Sequence, residues 1–211
     1  MAKQARAHAT RELIVQAAAV VFAGQNYAKA TLGDVITQAA VTQGALYFHF
    51  DSKKAVAQEV INRQHQLFID AGETLLEKDL RGVPAMILLS RELARYITSN
   101  PLVQAGLRLS TESADVFVET ASGPYEDWIR TCEVLIRRAA HDGDISGEYD
   151  PARLAGFVIA TFTGVQSLSQ ARTGWADILD RLEEMWVFVL GGIGSSPARV
   201  SVAEIRSLLR D

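Results

Sequence analysis

Few residues in this 211-residue chain are spaced for catalysis. Its four histidines (His8, His49, His65, His141) are scattered, and no His-Glu-x-x-His pair occurs to hold a metal. There is no Gly-x-Ser-x-Gly elbow and no phosphate-binding loop; Gly191-Gly192-Ile193-Gly194 lacks the preceding strand and the spacing of one. The single cysteine, Cys132, can form neither an internal disulfide nor a thiolate zinc site, and it sits in an apolar helical pattern. No enzyme, metal site or cofactor is expected. The stretch from Thr31 to Lys53 offers a different chemistry. Gln43 can pair bidentately with adenine, and Gly44 allows a backbone to approach a phosphate closely. Thr31, Thr42, Tyr47, His49 and Lys53 carry donors suited to phosphate oxygens.

These residues need short, capped helices to present them. Ile14, Ala17, Ala18, Val21 and Phe22 follow the spacing of a buried helix face, and Gly24–Asn26 suits its end. Leu32, Val35, Ile36 and Ala39 repeat the pattern in a shorter segment, with Thr31 and Asp34 placed as a capping box. After Ala40-Val41, Thr42 is the natural N-cap of a third helix, Gln43 to Phe48. Leu46 is expected to pack inward with Phe48 and Phe50, leaving Gln43, Gly44 and Tyr47 outward. Two short helices joined by a tight turn and preceded by a longer one have the layout of a helix-turn-helix unit. A simple three-helix packing unit is the competing reading.

The rest of the chain also reads as helices. Asp51 or Ser52 caps a long one that starts at Lys53 and heads toward Leu80. Met86, Leu89, Leu93, Tyr96 and Ile97 mark another. Asn100-Pro101 breaks it, and Leu102–Leu109 forms a short one. Ser110–Gly123 reads as a loop. Pro124 starts a helix that carries Trp128, Leu135, Ile136 and Ala139 to about His141. Asp150-Pro151 is an N-cap followed by an N1 proline, and the helix after it is apolar around most of its girth. Thr173-Gly174 ends it; Ile178, Leu182, Met185, Trp186, Val189 and Ile193 form a stripe, and a short amphipathic tail follows. The fold class is all-α. A helix-turn-helix domain is expected over 1–52, and a ligand-binding and dimerisation domain over 53–211.

Charge divides the chain in the same way. The formal total of −4 argues against binding nucleic acid over the whole surface. Residues 1–54, however, hold Lys3, Arg6, Arg11, Lys29, Lys53 and Lys54 against Glu12, Asp34 and Asp51, a balance of +3, which leaves −7 for the remainder. No apolar run reaches the roughly 18 residues of a membrane span, and Glu12 follows the basic start with no separate apolar core. The expected location is the cytoplasm, at the nucleoid, with no membrane partner.

The segment Thr31-Leu-Gly-Asp-Val-Ile and the run Ala40-Val-Thr-Gln-Gly-Ala-Leu-Tyr-Phe-His-Phe50-Asp-Ser-Lys53 resemble the N-terminal signature of TetR-family transcriptional regulators. Within that family the chain is similar to the γ-butyrolactone autoregulator receptors. The similarity lies in Met1-Ala-Lys-Gln-Ala-Arg6, Gly44–Phe50, Pro101–Leu109, Pro124-Tyr-Glu-Asp-Trp128 and Thr161-Phe-Thr-Gly-Val-Gln166. Gln43 departs from that subgroup, which usually has Lys there. The resemblance implies a homodimeric repressor on double-stranded operator DNA, released by a small γ-butyrolactone-like inducer. It implies that Trp128 lies against the ligand, with Gln64 and Thr161 as polar partners and Val158, Phe162 and Val165 as their apolar neighbours. The helix from Pro151 and the stripe Ile178–Ile193 are expected to build the dimer interface, with intramolecular core as the alternative use. A TetR-type repressor of an exporter, catabolic or antibiotic operon, sensing another small molecule, is the alternative function.

Overall fold

The computed structural model describes residues 2–112, 116–117, 123–194 and 200–210. Ten helices are found among the described residues: α1 (Ala2–Gly24), α2 (Leu32–Ala39), α3 (Gln43–His49), α4 (Lys53–Leu76), α5 (Gly82–Ser99), α6 (Pro101–Glu112), α7 (Gly123–His141), α8 (Pro151–Thr173), α9 (Ile178–Ile193) and α10 (Val202–Arg210). The segment expected as a loop over 110–123 is helical as far as Glu112, and apart from Val116 and Phe117 its middle lies outside the described residues. The long helix from Lys53 stops at Leu76, short of Leu80. Among the described residues no helix is long and apolar enough to cross a membrane.

The helices form two compact units. The first holds α1 to α3, α4 as far as Leu67, and α6 with Val116 and Phe117; the second holds α4 from Phe68, α5 to Thr98, and α7 to α10. This division differs from a boundary after residue 52, because α6 and the start of α4 complete the core of the helix-turn-helix. That core joins Ile14, Ala18 and Phe22 of α1 to Val35, Leu46, Phe50, Val56 and Val60, and to Leu102, Ala105 and Leu109 of α6. Burying a side chain such as Leu46 or Phe22 contributes about 1.5–3 kcal/mol. Gly106 permits the close packing of α6 on α4, since a Cβ there would stand 2.5 Å from that of Gln64.

In the second unit α5 begins against α7. A Cβ on Gly82 would fall 2.2 Å from the Ala139 backbone nitrogen, so only glycine allows this approach. Asp142 and Asp144 accept the Gly82 and Val83 N–H groups, and Arg81 pairs with the fully buried Asp144 carboxylate. Carboxylates at a helix start satisfy donors that have no partner within the helix. Arg138 donates to the Leu76, Lys78 and Leu80 carbonyls and closes the other end of α4. Trp186, buried on α9, donates its indole N–H to Ser90 Oγ at 3.0 Å.

Candidate functional sites: a DNA-reading head and an apolar cavity

The local sequence builds the head as expected. Thr31 accepts the Asp34 N–H while Asp34 accepts the Thr31 N–H, the two arms of a capping box. The exposed Asp34 carboxyl is held below its usual range, chiefly by that backbone hydrogen bond. Thr42 Oγ1 accepts the Ala45 N–H at 3.1 Å and starts α3. Between them Ala40 adopts a left-handed conformation (φ 52°) and donates its N–H to the Ile36 and Thr37 carbonyls. This residue makes the tight turn. Ser52 Oγ accepts the Ala55 N–H, so Ser52, not Asp51, caps α4.

On α3, Gln43, Gly44, Tyr47 and Phe48 are exposed, while Leu46 and Phe50 are buried. Four positions spaced i, i+1, i+4 and i+5 share one helix face. Phe48 corrects the expectation that it packs inward: it is 76% exposed, with its ring centre 5.0 Å from that of His49 and nearly perpendicular to it. An exposed aromatic on a face of this kind can take a thymine methyl. Nothing stands within 4 Å of a Cβ on Gly44, so the fold itself makes no demand for glycine there.

Two of the expected phosphate donors are engaged inside the head. The Lys53 ammonium donates to the Tyr27 and Ala30 carbonyls, at 2.8 and 2.9 Å, and lies 4.3 Å from the Tyr27 ring centre. Lys53 thus pins the start of α4 to the loop before α2 with two of the three N–H donors of its ammonium. Thr31 gives its hydroxyl hydrogen to Asp34 Oδ2 at 2.8 Å. Arg11 is similarly committed. It pairs with Glu59, which also takes Arg63, and Arg63 reaches Glu12 at 2.5 Å. Its guanidinium lies 5.1 Å from the Phe50 ring centre, just past the end of α3. The Arg11 hydrogen bond holds the Glu59 carboxyl below the usual range.

The second unit contains a cavity lined by α4, α5, α7, α8 and α9. It leaves about 70 Å³ for the centres of water-sized molecules, several times what one water needs. Phe68, Leu93, Trp128, Val158, Phe162 and Met185 supply apolar wall. Trp128 packs on Phe68 at 5.5 Å and on Tyr125 at 5.0 Å, centre to centre. Trp128, Val158 and Phe162, three of the residues expected at the ligand, thus line the cavity. Gln64, Thr161 and Val165 do not. Gln64 is buried in the first unit against Gly106, its Nε2 without a hydrogen-bond partner. Thr161 donates to the Phe157 carbonyl and, with Val165, opens on a different groove of α8 and α9. At about 100° per residue, positions 158, 162 and 166 form one edge of α8 while 157, 161, 165 and 168 form another. The cavity's polar groups from α8 are instead Thr163 and Gln166. Gln166 was legible as a polar insertion on an apolar face, but its facing was not.

Cys132 also lines the cavity. Burial pushes its thiol up to about 12, leaving it unreactive at neutral pH.

A capped two-helix reader on a small basic head, joined in one chain to a helical body with an apolar pocket, is the arrangement of a DNA-binding regulator. Residues 14–60 match the bacterial regulatory proteins of the tetR family, and residues 81–194 match the tetracyclin repressor-like C-terminal domain. The A-factor receptor protein of Streptomyces griseus is 36% identical over 195 residues, covering 92% of this chain and 67% of that one. The chain belongs to the TetR family of transcriptional regulators and is not an enzyme. Among solved structures, a γ-butyrolactone receptor described as ArpA-like is 26% identical, with a TM-score of 0.76 over 97% of this chain and 95% of that one. The TetR family protein CprB from S. coelicolor A3(2) is 28% identical, with a TM-score of 0.81 over 98% and 99%.

Proposed function

We propose that this chain is a repressor that binds a palindromic operator as a homodimer and is released by a small, apolar γ-butyrolactone-type autoregulator. The observation that carries the reading is the cavity of the second unit, where an apolar wall surrounds a few polar groups, as a lactone-sized ligand requires. The similarity to the solved γ-butyrolactone receptor favours a lactone over other apolar inducers. DNA contact falls to the exposed Gln43, Gly44, Tyr47 and Phe48, with Thr42 and His49 at the rim.

Dimerisation is assigned to the outer face of α8 and α9. Phe157, Leu168 and Phe188 are 56%, 48% and 78% exposed there, around a groove that includes Thr161 and Val165. Covering such a face is worth more than leaving it in water. Two heads then reach successive major-groove turns, about 34–36 Å apart. Inducer in the cavity must bind better to a dimer that cannot engage both half-sites, and α4, which contributes to both units, is the lever.

The test is a gel shift on the DNA upstream of the chain's own gene, with and without synthetic γ-butyrolactones. Release by a lactone is expected. If the complex forms and lactones leave it intact while a non-lactone hydrophobe dissolves it, the exporter, catabolic or antibiotic reading takes over.

A further inference from the structure

The polar groups of the cavity narrow what can enter it. None of the described residues that line it is an Asp, Glu, Lys, Arg or His. The hydroxyls on its wall are already committed: Thr163 donates to the Ile159 carbonyl, Thr131 to that of Asp127 and Ser90 to that of Ile87. Ser90 Oγ also accepts the Trp186 indole N–H. Gln166 differs. Its side chain is buried at 6% exposure, and its Oε1 finds no hydrogen-bond partner. A buried acceptor left unmet costs free energy until something donates to it.

We propose that the cavity accepts only uncharged molecules that donate a hydrogen bond to Gln166, and that it rejects the ring-opened form of a lactone. The inference rests on the lactone reading above for its biological ligand, and on the cavity's own chemistry for its selectivity. Ring opening adds water across the ester. The acyl carbon–oxygen bond breaks, the ring oxygen leaves as a hydroxyl, and the acyl carbon becomes a carboxylic acid that releases a proton at neutral pH. The carboxylate that results has no cation among the described residues of this wall to pair with, and an unpaired buried charge is strongly disfavoured. A lactone-hydrolysing reaction is thus the class of step that consumes this regulator's signal. It returns the repressor to its operator without any change in the protein.

The test uses the full-length chain and calorimetric titration at pH 7 with two pairs of probes. The first pair is a γ-butyrolactone bearing an alkyl chain and one free hydroxyl, against the sodium salt of the same compound opened with alkali. The second is 1-decanol against decanoate. Both neutral members are expected to bind, with each carboxylate at least about 100-fold weaker. Discrimination in the decanol pair with no binding of the lactone would remove the lactone reading and leave the selectivity standing. A carboxylate within threefold of its neutral partner, or no binding by either neutral probe, would overturn the selectivity itself.

Gln166 is tested by methylating the hydroxyl of the lactone. Wild type should lose about tenfold, and Gln166→Leu should bind the hydroxyl and the ether alike. The variant's circular dichroism and operator binding serve as controls for its fold. A tenfold loss that persists in Gln166→Leu would show that the hydroxyl is accepted elsewhere.

Discussion

Gly44 stands on the exposed face of α3 with open space where its Cβ would be. A fold that needs no glycine there should gain from its loss, because glycine inside a helix costs about 0.5–1 kcal/mol relative to alanine. We expect Gly44→Ala to leave thermal stability equal or higher while weakening operator binding, as an added methyl would meet a phosphate or base. Unchanged operator affinity would remove Gly44 from the interface. Gln43→Ala and Phe48→Ala should each cost about 1–3 kcal/mol of discrimination at one operator position. Competition among operators mutated base by base gives the measurement, and a flat preference would end the assignment. Lys53 belongs to a different category. Replacing it with Met removes two hydrogen bonds from a charged donor, so stability in urea should fall by about 1–3 kcal/mol. Full stability combined with a shallower salt dependence would return it to phosphate duty. The side-chain types could be read as DNA chemistry from the sequence. Whether a lysine spends its donors inward was not legible, because Tyr27 and Ala30 lie more than twenty residues away along the chain.

At the scale of elements, the turn between α2 and α3 and the ion network beneath α3 set the reader's position. Ala40 sits at φ 52°, which costs a non-glycine residue about 1–2 kcal/mol. Ala40→Gly should relieve most of that and raise the midpoint of unfolding; a lower midpoint would mean that the alanine methyl contributes more than the strain costs. Arg11, Glu59, Arg63 and Glu12 tie α1 to α4, with Arg11 against Phe50. Glu59 is held below its unfolded range, so its contribution is present at neutral pH and is lost as pH falls through the folded value. Glu59→Gln should therefore flatten the fall in stability below about pH 4.5. An acid limb identical to wild type would show that the network adds nothing. Caps such as Thr31, Thr42 and Asp150 were readable because they act within three or four residues. The network was not, since its partners lie about fifty residues apart.

Across the whole molecule, the stripe Ile178–Ile193 divides between buried and exposed positions. Ile178, Leu182, Met185, Trp186 and Val189 are buried within the chain, while Phe188 faces out beside Phe157 and Leu168. Phe188→Glu should yield a folded monomer by light scattering and abolish high-affinity operator binding, which depends on engaging two half-sites together. A dimer that persists would move the interface elsewhere.

By itself the sequence determined the helical class, the placing and capping of the reader, and a basic head on an acidic chain. Those follow from periodicity, capping and composition, which are local. Only the tertiary structure decided which side of each helix meets which neighbour. It put Gln166 rather than Thr161 in the cavity, turned Phe48 outward, drew Lys53 into the head, and placed α6 beside α1 and α4. A helix pattern identifies an apolar face, but the packing of the other helices determines whether that face closes a core, walls a cavity or awaits a partner.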